Sequence, residues 1–329
     1  MKMKALRWYG IHDVRAEEID KPVPAAEEVL VRVLYAGICG SDLHIYNKGM
    51  FIQNVPETMG HEFCGVVEEA FEGSGFAAGD CVIANPMVPC GSCESCLCGS
   101  FNTCENLGFI GEVRQGCFTR YIALPADRLI RVSGDADMKQ MALAEPLAVA
   151  VNVCKRASLK PEDSLAIIGA GPIGLLTAVI ARSVYNVQDI TVVNRSQTRR
   201  RIAEVLGVKA AAAIPEGQRF DKVVESAGNP ATLQIALESV RANGTVLVVS
   251  VFEENITIDA NLLVCSQITL IGCNCYDRED LETAADLIAS RRVDVSPIIT
   301  DIFPVEEGKA AFEKLCVREK QAAKILLQP

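Results

Sequence analysis

Between residues 164 and 184 the chain carries the pattern that most limits how it can fold. Ser164-Leu165-Ala166-Ile167-Ile168 is a short apolar run, Gly169-Ala170-Gly171-Pro172-Ile173-Gly174 follows at once, and an amphipathic stretch continues to about Val184. An apolar run closed by glycines and followed by a helical period predicts a strand, a tight turn and a helix. Such a strand buries both of its faces in a parallel sheet with crossover helices. Backbone N–H groups at the turn and the N-terminus of the helix then form a seat for a pyrophosphate. Gly169, Gly171, Pro172, Ile173 and Gly174 are therefore candidate dinucleotide-binding residues. The same glycines and Pro172 interrupt 165–181, so this apolar segment reads as part of a soluble fold and not as a membrane span.

The second strand, Ile190-Thr191-Val192-Val193, ends where an NAD site would place Asp or Glu to accept from the ribose hydroxyls. This chain has Asn194-Arg195-Ser196 there, with Arg199, Arg200 and Arg201 beyond. Without the carboxylate nothing repels a 2′-phosphate, and Arg195 can pair with it, so the sequence points to NADP over NAD. The alternative leaves the arginines on a solvated helix face, with Asn194 still serving NAD. Further strands are expected at 209–213, 222–225, 245–249 and 268–272, with a helix over 230–240. The link 213–222 is too short for a crossover helix and has to run nearly straight.

At 329 residues the chain has room for two domains, each with its own core. Its 32 basic and 42 acidic residues give a net charge of −10, with no basic cluster to follow a phosphate backbone, which argues against nucleic acid as a partner. Met1-Lys2-Met3-Lys4-Ala5-Leu6-Arg7-Trp8 has charges but no apolar run behind them, so a cytoplasmic location is expected. The fourteen cysteines sit at metal-ligand spacings or singly in apolar runs, the pattern of reduced thiols, and no disulfide is expected.

The first part of the chain reads as β, with strands at 4–8, 29–34, 63–67, 80–84 and 121–124. Between them, on what read as loops, lie Cys39-Gly40-Ser41-Asp42-Leu43-His44 and Gly60-His61-Glu62. Thiolate, imidazole and carboxylate are zinc-binding side chains, and three protein ligands leave a fourth position open for chemistry. Cys64 and Cys81 alternate with apolar residues and read as core. Cys90, Cys93, Cys96 and Cys104, at C-x2-C-x2-C-x7-C, can close a tetrahedral structural zinc site. An iron–sulfur cluster competes, although its C-x2-C-x2-C run continues differently. Cys98 has no place in the spacing. Glu145, alone in the apolar stretch 141–150, needs a metal or a donor, or else serves as a turn residue before Pro146. The tail reads as a helix over 278–290, a short strand near 298–299, a helix over 306–315 and a last strand over 323–327.

A catalytic-type zinc constellation, a four-cysteine lobe and a dinucleotide turn, in this order, resemble the zinc-containing medium-chain dehydrogenases over nearly the whole chain. The His61-Glu62 pair and Glu145-Pro146 resemble the polyol branch: sorbitol, 2,3-butanediol and threonine dehydrogenases and sugar-acid or sugar-phosphate relatives. Met3-Lys4-Ala5-Leu6-Arg7-Trp8 and Val249-Ser250-Val251-Phe252 look most like butanediol dehydrogenases. The resemblance implies an α/β chain: a Rossmann doubly wound parallel sheet over 149–275, and a mainly β, GroES-like catalytic domain over 1–148 and 276–329. It implies two zincs per chain. Cys39, His61 and either Glu62 or Glu145 would hold the catalytic one, and Cys90, Cys93, Cys96 and Cys104 the structural one. Ser41 and His44 match a proton relay, and Asp42 would orient a ligand. The cofactor set is NADP, or NAD, with Gly169, Gly171, Pro172, Ile173, Gly174, Asn194, Arg195, Ser196 and Arg200 around it. A small alcohol or polyol is the implied partner, in a homodimer or homotetramer. An L-threonine-type amino-alcohol dehydrogenase and a non-catalytic NADPH-binding zinc protein are the competing readings.

Overall fold

The computed structural model describes residues 1–317 and 321–329. Its centre is a six-stranded, all-parallel sheet in the order Lys209–Ala211, Asp189–Val193, Ser164–Ile168, Phe220–Glu225, Val240–Val248 and Thr269–Gly272. The chain order reverses between Ser164–Ile168 and Phe220–Glu225, so a crevice opens beyond the carboxyl ends of these two strands. The glycine turn stands at that crevice. Residues 212–219 carry the chain without a helix from one edge of the sheet across to Phe220–Glu225. Three strand spacings are about 14 Å, within reach of a short extended link.

The remaining described strands form a mixed, mostly antiparallel seven-stranded sheet, a three-stranded one and a two-stranded pair, Met87–Val88 with Gly108–Phe109. Glu28–Gly37 is central, pairing with Glu62–Glu69 on one side and with Tyr121–Pro125 and Lys324–Gln328 on the other. The last strand of the chain thus completes a sheet begun near its start. Asp13–Asp20, paired with Lys2–Gly10, was not expected, because its charged residues mask the period of two. The expected strand near 298–299 is a short 3₁₀ turn followed by the strand Ile299–Pro304, and the helix expected over 306–315 is Gly308–Cys316.

Helix Ala144–Ala157 is nearly all buried and carries the chain from the β region into the parallel sheet. One apolar cluster includes Ile83, Leu147, Leu175 and Leu281, so the core is continuous across the two regions. Among the described residues no helix is long and apolar enough to cross a membrane.

Candidate active site

Strand pairing assembles the site. Gly37, at the end of Glu28–Gly37, lies opposite Glu62, at the start of Glu62–Glu69. Antiparallel chains carry the following Cys39 and the preceding His61 to the same end of the sheet. A Cβ at position 37 would run into Glu62 Oε2, so a side chain there would have to displace that carboxylate. Cys39 occupies the N-cap of helix Gly40–Lys48, where loop was expected. Asp42 explains the helix: its Oδ2 accepts from the Cys39 N–H at 2.8 Å, a capping contact three residues apart in sequence. Asp42 is fully buried, and burial pushes its carboxyl up. Its Oδ1 lies 3.9 Å from His61 Nδ1, facing the ring.

The ligand atoms of Cys39, His61 and Glu62 all lie within 4.8 Å of one another. Ser41 Oγ, Asp42 Oδ1, His61 Nδ1 and Glu62 Oε1 are buried there and have no hydrogen-bond partner in the protein. Thiol, imidazole and carboxylate with orphaned polar atoms suit a zinc ion and a hydroxyl-bearing ligand. Glu145 stands outside that trio, in the first turn of its helix, and its Oε1 accepts from the Tyr276 hydroxyl at 2.8 Å. Burial and the nearby Glu62 charge push Glu145 up to about 7. Lys324 donates to Glu62 Oε2 and to the Ile38 carbonyl from the last strand.

Two family models match the chain: the alcohol dehydrogenase GroES-like domain over residues 25–134 and the zinc-binding dehydrogenase over 172–290. A 2-dehydro-3-deoxy-L-galactonate 5-dehydrogenase of Pseudoalteromonas atlantica is 33% identical over 95% of both chains. An L-threonine 3-dehydrogenase of Bacillus subtilis is 32% identical over 100% of this chain and 99% of its own length. A Sinorhizobium meliloti protein described as a zinc-binding dehydrogenase, solved bound to NADP, superposes with a TM-score of 0.92 at 29% identity, covering 100% of both chains. The chain belongs to the zinc-containing medium-chain dehydrogenases. Its fold is the GroES-like and Rossmann pair of that family.

In this dehydrogenase Cys90, Cys93, Cys96 and Cys104 form the second group that could hold a metal ion, with their sulfurs all within 4.8 Å of one another. Backbone N–H groups of Ser92 and Cys93, with the Ser92 hydroxyl, bring the Cys90 thiol down to about 6, which favours the thiolate a cation needs. Cys98 is exposed and outside the group. Cys64 is buried core, and Cys81 is half-buried beside it.

At the dinucleotide turn Gly169 has φ +116°, and a Cβ on Gly174 would strike the Gly169 carbonyl. A Cβ on Gly171 would meet nothing within 4 Å, so space is open there for a pyrophosphate. Pro172 and Ile173 start the helix Pro172–Ser183. Asn194 Oδ1 accepts from the Ser196 N–H, and Ser196 caps helix Gln197–Val205. Arg195 is exposed, whereas Arg200 donates to the Asn194 and Arg195 carbonyls and Arg199 to the Ala322 carbonyl.

His44 stands on the same helix as Ser41, and its Nδ1 lies 3.0 Å from Glu253 Oε1 on the loop after Val240–Val248. Among the described hydrogen bonds none joins Ser41 to His44. Sequence reasoning missed Lys324, Tyr276, Glu253 and Glu112. Lys324 had a signal, a lone cation inside Ala322-Ala323-Lys324-Ile325-Leu326-Leu327. Glu112 had none.

Proposed function

We propose that the chain interconverts a secondary alcohol of a diol or polyol with its ketone, using NADP in preference to NAD. The observation that carries this is the Cys39, His61 and Glu62 trio with its orphaned polar atoms, in a protein whose sheet presents an open glycine turn. Cys39, His61 and Glu62 would hold the catalytic zinc, with Glu145, whose charge acts on His61, as the alternative carboxylate; Cys90, Cys93, Cys96 and Cys104 would hold the structural one. Zinc supplies Lewis acidity at the substrate oxygen, and NADP supplies the hydride acceptor.

The chain's own side chains do the rest. With His61 Nδ1 turned to Asp42, Nε2 is the ring nitrogen left for the metal. Ser41 Oγ, buried and unpartnered, takes the proton of the substrate hydroxyl, and His44 hands it to solvent, held at Nδ1 by Glu253. Any transfer from Ser41 to His44 crosses a bound group. Gly169, Gly171, Pro172, Ile173 and Gly174 receive the pyrophosphate, and Asn194, Arg195 and Ser196 the ribose and its phosphate.

The working division is a catalytic unit of 1–148 and 276–329 around a cofactor unit of 149–275. We also propose a cytoplasmic enzyme that pairs through its sheet edge. Strand Thr269–Gly272 and helix Ala260–Ser266 have no buried residues, although they include Leu262, Leu263, Val264 and Leu270. Initial rates of nicotinamide reduction by the zinc-loaded protein test the reaction, with NADP and then NAD, across 2,3-butanediol, sorbitol, xylitol and L-threonine. Turnover of a diol or polyol with NADP supports the proposal. Turnover of L-threonine alone favours the amino-alcohol reading, and two bound zincs without turnover of any alcohol overturn it.

A further inference from the structure

Glu112 is 6% exposed, yet no described residue makes a hydrogen bond or ion pair with its carboxylate. Its oxygens are absent from the fully enclosed unpartnered atoms, so they keep some access to solvent or a ligand. A buried carboxylate without a donor is costly, and folded proteins keep one where a ligand completes it.

Backbone contacts fix where the residue sits. Gly116 N–H donates to the Thr58 carbonyl, Cys117 N–H to Gly60 and Phe118 N–H to Met59, which pins the loop along the residues leading into His61. Gly111 sits so close to Gly60 that a Cβ would come within 2.6 Å of its backbone nitrogen. Glu112 is the next residue. Its carbonyl accepts from the Gln53 N–H, which ties it to the loop bordering the site. Phe109, on the same loop, places its ring 5.7 Å from that of His61. The carboxylate feels the charges of His61 and Asp42, and Cys275 feels Glu112 together with Cys39 and Glu145.

We infer that Glu112 is the substrate-selecting acceptor of this site: it binds a hydrogen-bond donor on the substrate away from the reacting carbon, and when ionised it bars substrates that carry a negative charge there. The inference rests on the alcohol dehydrogenase reading above and names what that site selects. A site built around a buried acceptor discriminates strongly against an analogue lacking the donor, because the acceptor is then left unpaired. Hydrogen bonds to a charged group correspond to about ten- to a hundredfold in kcat/KM.

Four probes of similar size separate the possibilities: 2,3-butanediol has a neighbouring hydroxyl, 2-butanol has none, 3-amino-2-butanol carries an ammonium, and 3-hydroxybutyrate carries a carboxylate. Wild type is expected to prefer the diol or the amino alcohol to 2-butanol, and which of the two leads tells hydroxyl from ammonium. E112A should lower the ratio of that preferred probe to 2-butanol about ten- to a hundredfold. E112Q, which keeps a carbonyl acceptor but removes the charge, should retain part of the diol preference and raise the relative use of 3-hydroxybutyrate. Equilibrium binding of the diol to the zinc- and NADPH-loaded protein gives a readout separate from turnover and should weaken in E112A. An active wild type whose probe ratios and diol binding are unchanged in both variants overturns this inference alone. A wild type inactive on every alcohol overturns the proposed reaction, and this inference with it.

Discussion

Lys324 Nζ lies 2.5 Å from Glu62 Oε2, 262 residues away in sequence, with both side chains only 1% exposed. The contact ties the last strand of the chain to the Cys39, His61 and Glu62 trio and uses one Glu62 oxygen, leaving the other without a protein partner. Removing one member of a buried pair leaves an uncompensated charge and costs about 3–5 kcal/mol. Lys324→Met should lower the denaturant midpoint accordingly. Lys324→Met with Glu62→Gln should recover much of the loss, because no buried charge is then stranded. If the double variant is as unstable as the sum of the singles, the pair is not a coupled unit.

Glu112 supplies a pH dependence of known sign. Burial pushes its carboxyl to about 7 from an ordinary value of 4.5. Between those values the native chain holds a proton that the unfolded chain has lost, so stability falls as pH rises from about 4.5 to about 7. The shift corresponds to about 3 kcal/mol. Glu112→Gln should therefore be more stable than wild type at pH 8 by up to that amount and equal to it at pH 4. Urea titrations of both proteins at the two pH values check this. A constant difference across pH would assign the slope to another group.

The glycine turn and its flanking strand and helix were legible because their signal is local: each residue type is demanded by the backbone next to it. Cys39, His61 and the four lobe cysteines were legible by chemistry and spacing. The C-x-x-D start of helix Gly40–Lys48 was written in Cys39 and Asp42 but was hidden by reading the segment for ligands alone. What the sequence withheld is the pairing of remote segments. Nothing near Lys324 points to Glu62, nothing near Tyr276 points to Glu145, and Glu112 reaches the site only through the approach of Gly111 to Gly60. Strand pairing brings Lys324 to Glu62, whereas helix and loop packing bring Tyr276 to Glu145 and Glu112 beside Gly60, and one chain read alone contains none of these long-range pairings.

The lobe cysteines predict an asymmetric loss of metal. Cys104→Ser removes one sulfur from the four-cysteine group and leaves Cys39, His61 and Glu62 untouched. Zinc per chain, by elemental analysis, should fall from two to one. The loop 90–104 should become open to limited proteolysis, since metal binding is what holds so polar a segment. Retention of two zincs would place the second ion elsewhere, and brown colour in the wild type would restore the iron–sulfur alternative.

Cofactor choice turns on which arginine is free. Arg199 is committed to the Ala322 carbonyl and Arg200 to the carbonyls of Asn194 and Arg195, so both brace the turn, and Arg201 is exposed on the following helix. Arg195 is exposed at the strand end, and no described residue pairs with its guanidinium. A 2′-phosphate bound there gains a charge-assisted contact that NAD cannot make, corresponding to about ten- to a hundredfold in kcat/KM. Arg195→Ala should therefore lose that factor with NADP and little with NAD, whereas Arg200→Ala should weaken both together by loosening the turn. Steady-state rates with the two cofactors separate the cases. Equal loss in Arg195→Ala would mean that Asn194 serves NAD and that the arginines belong to the solvated face.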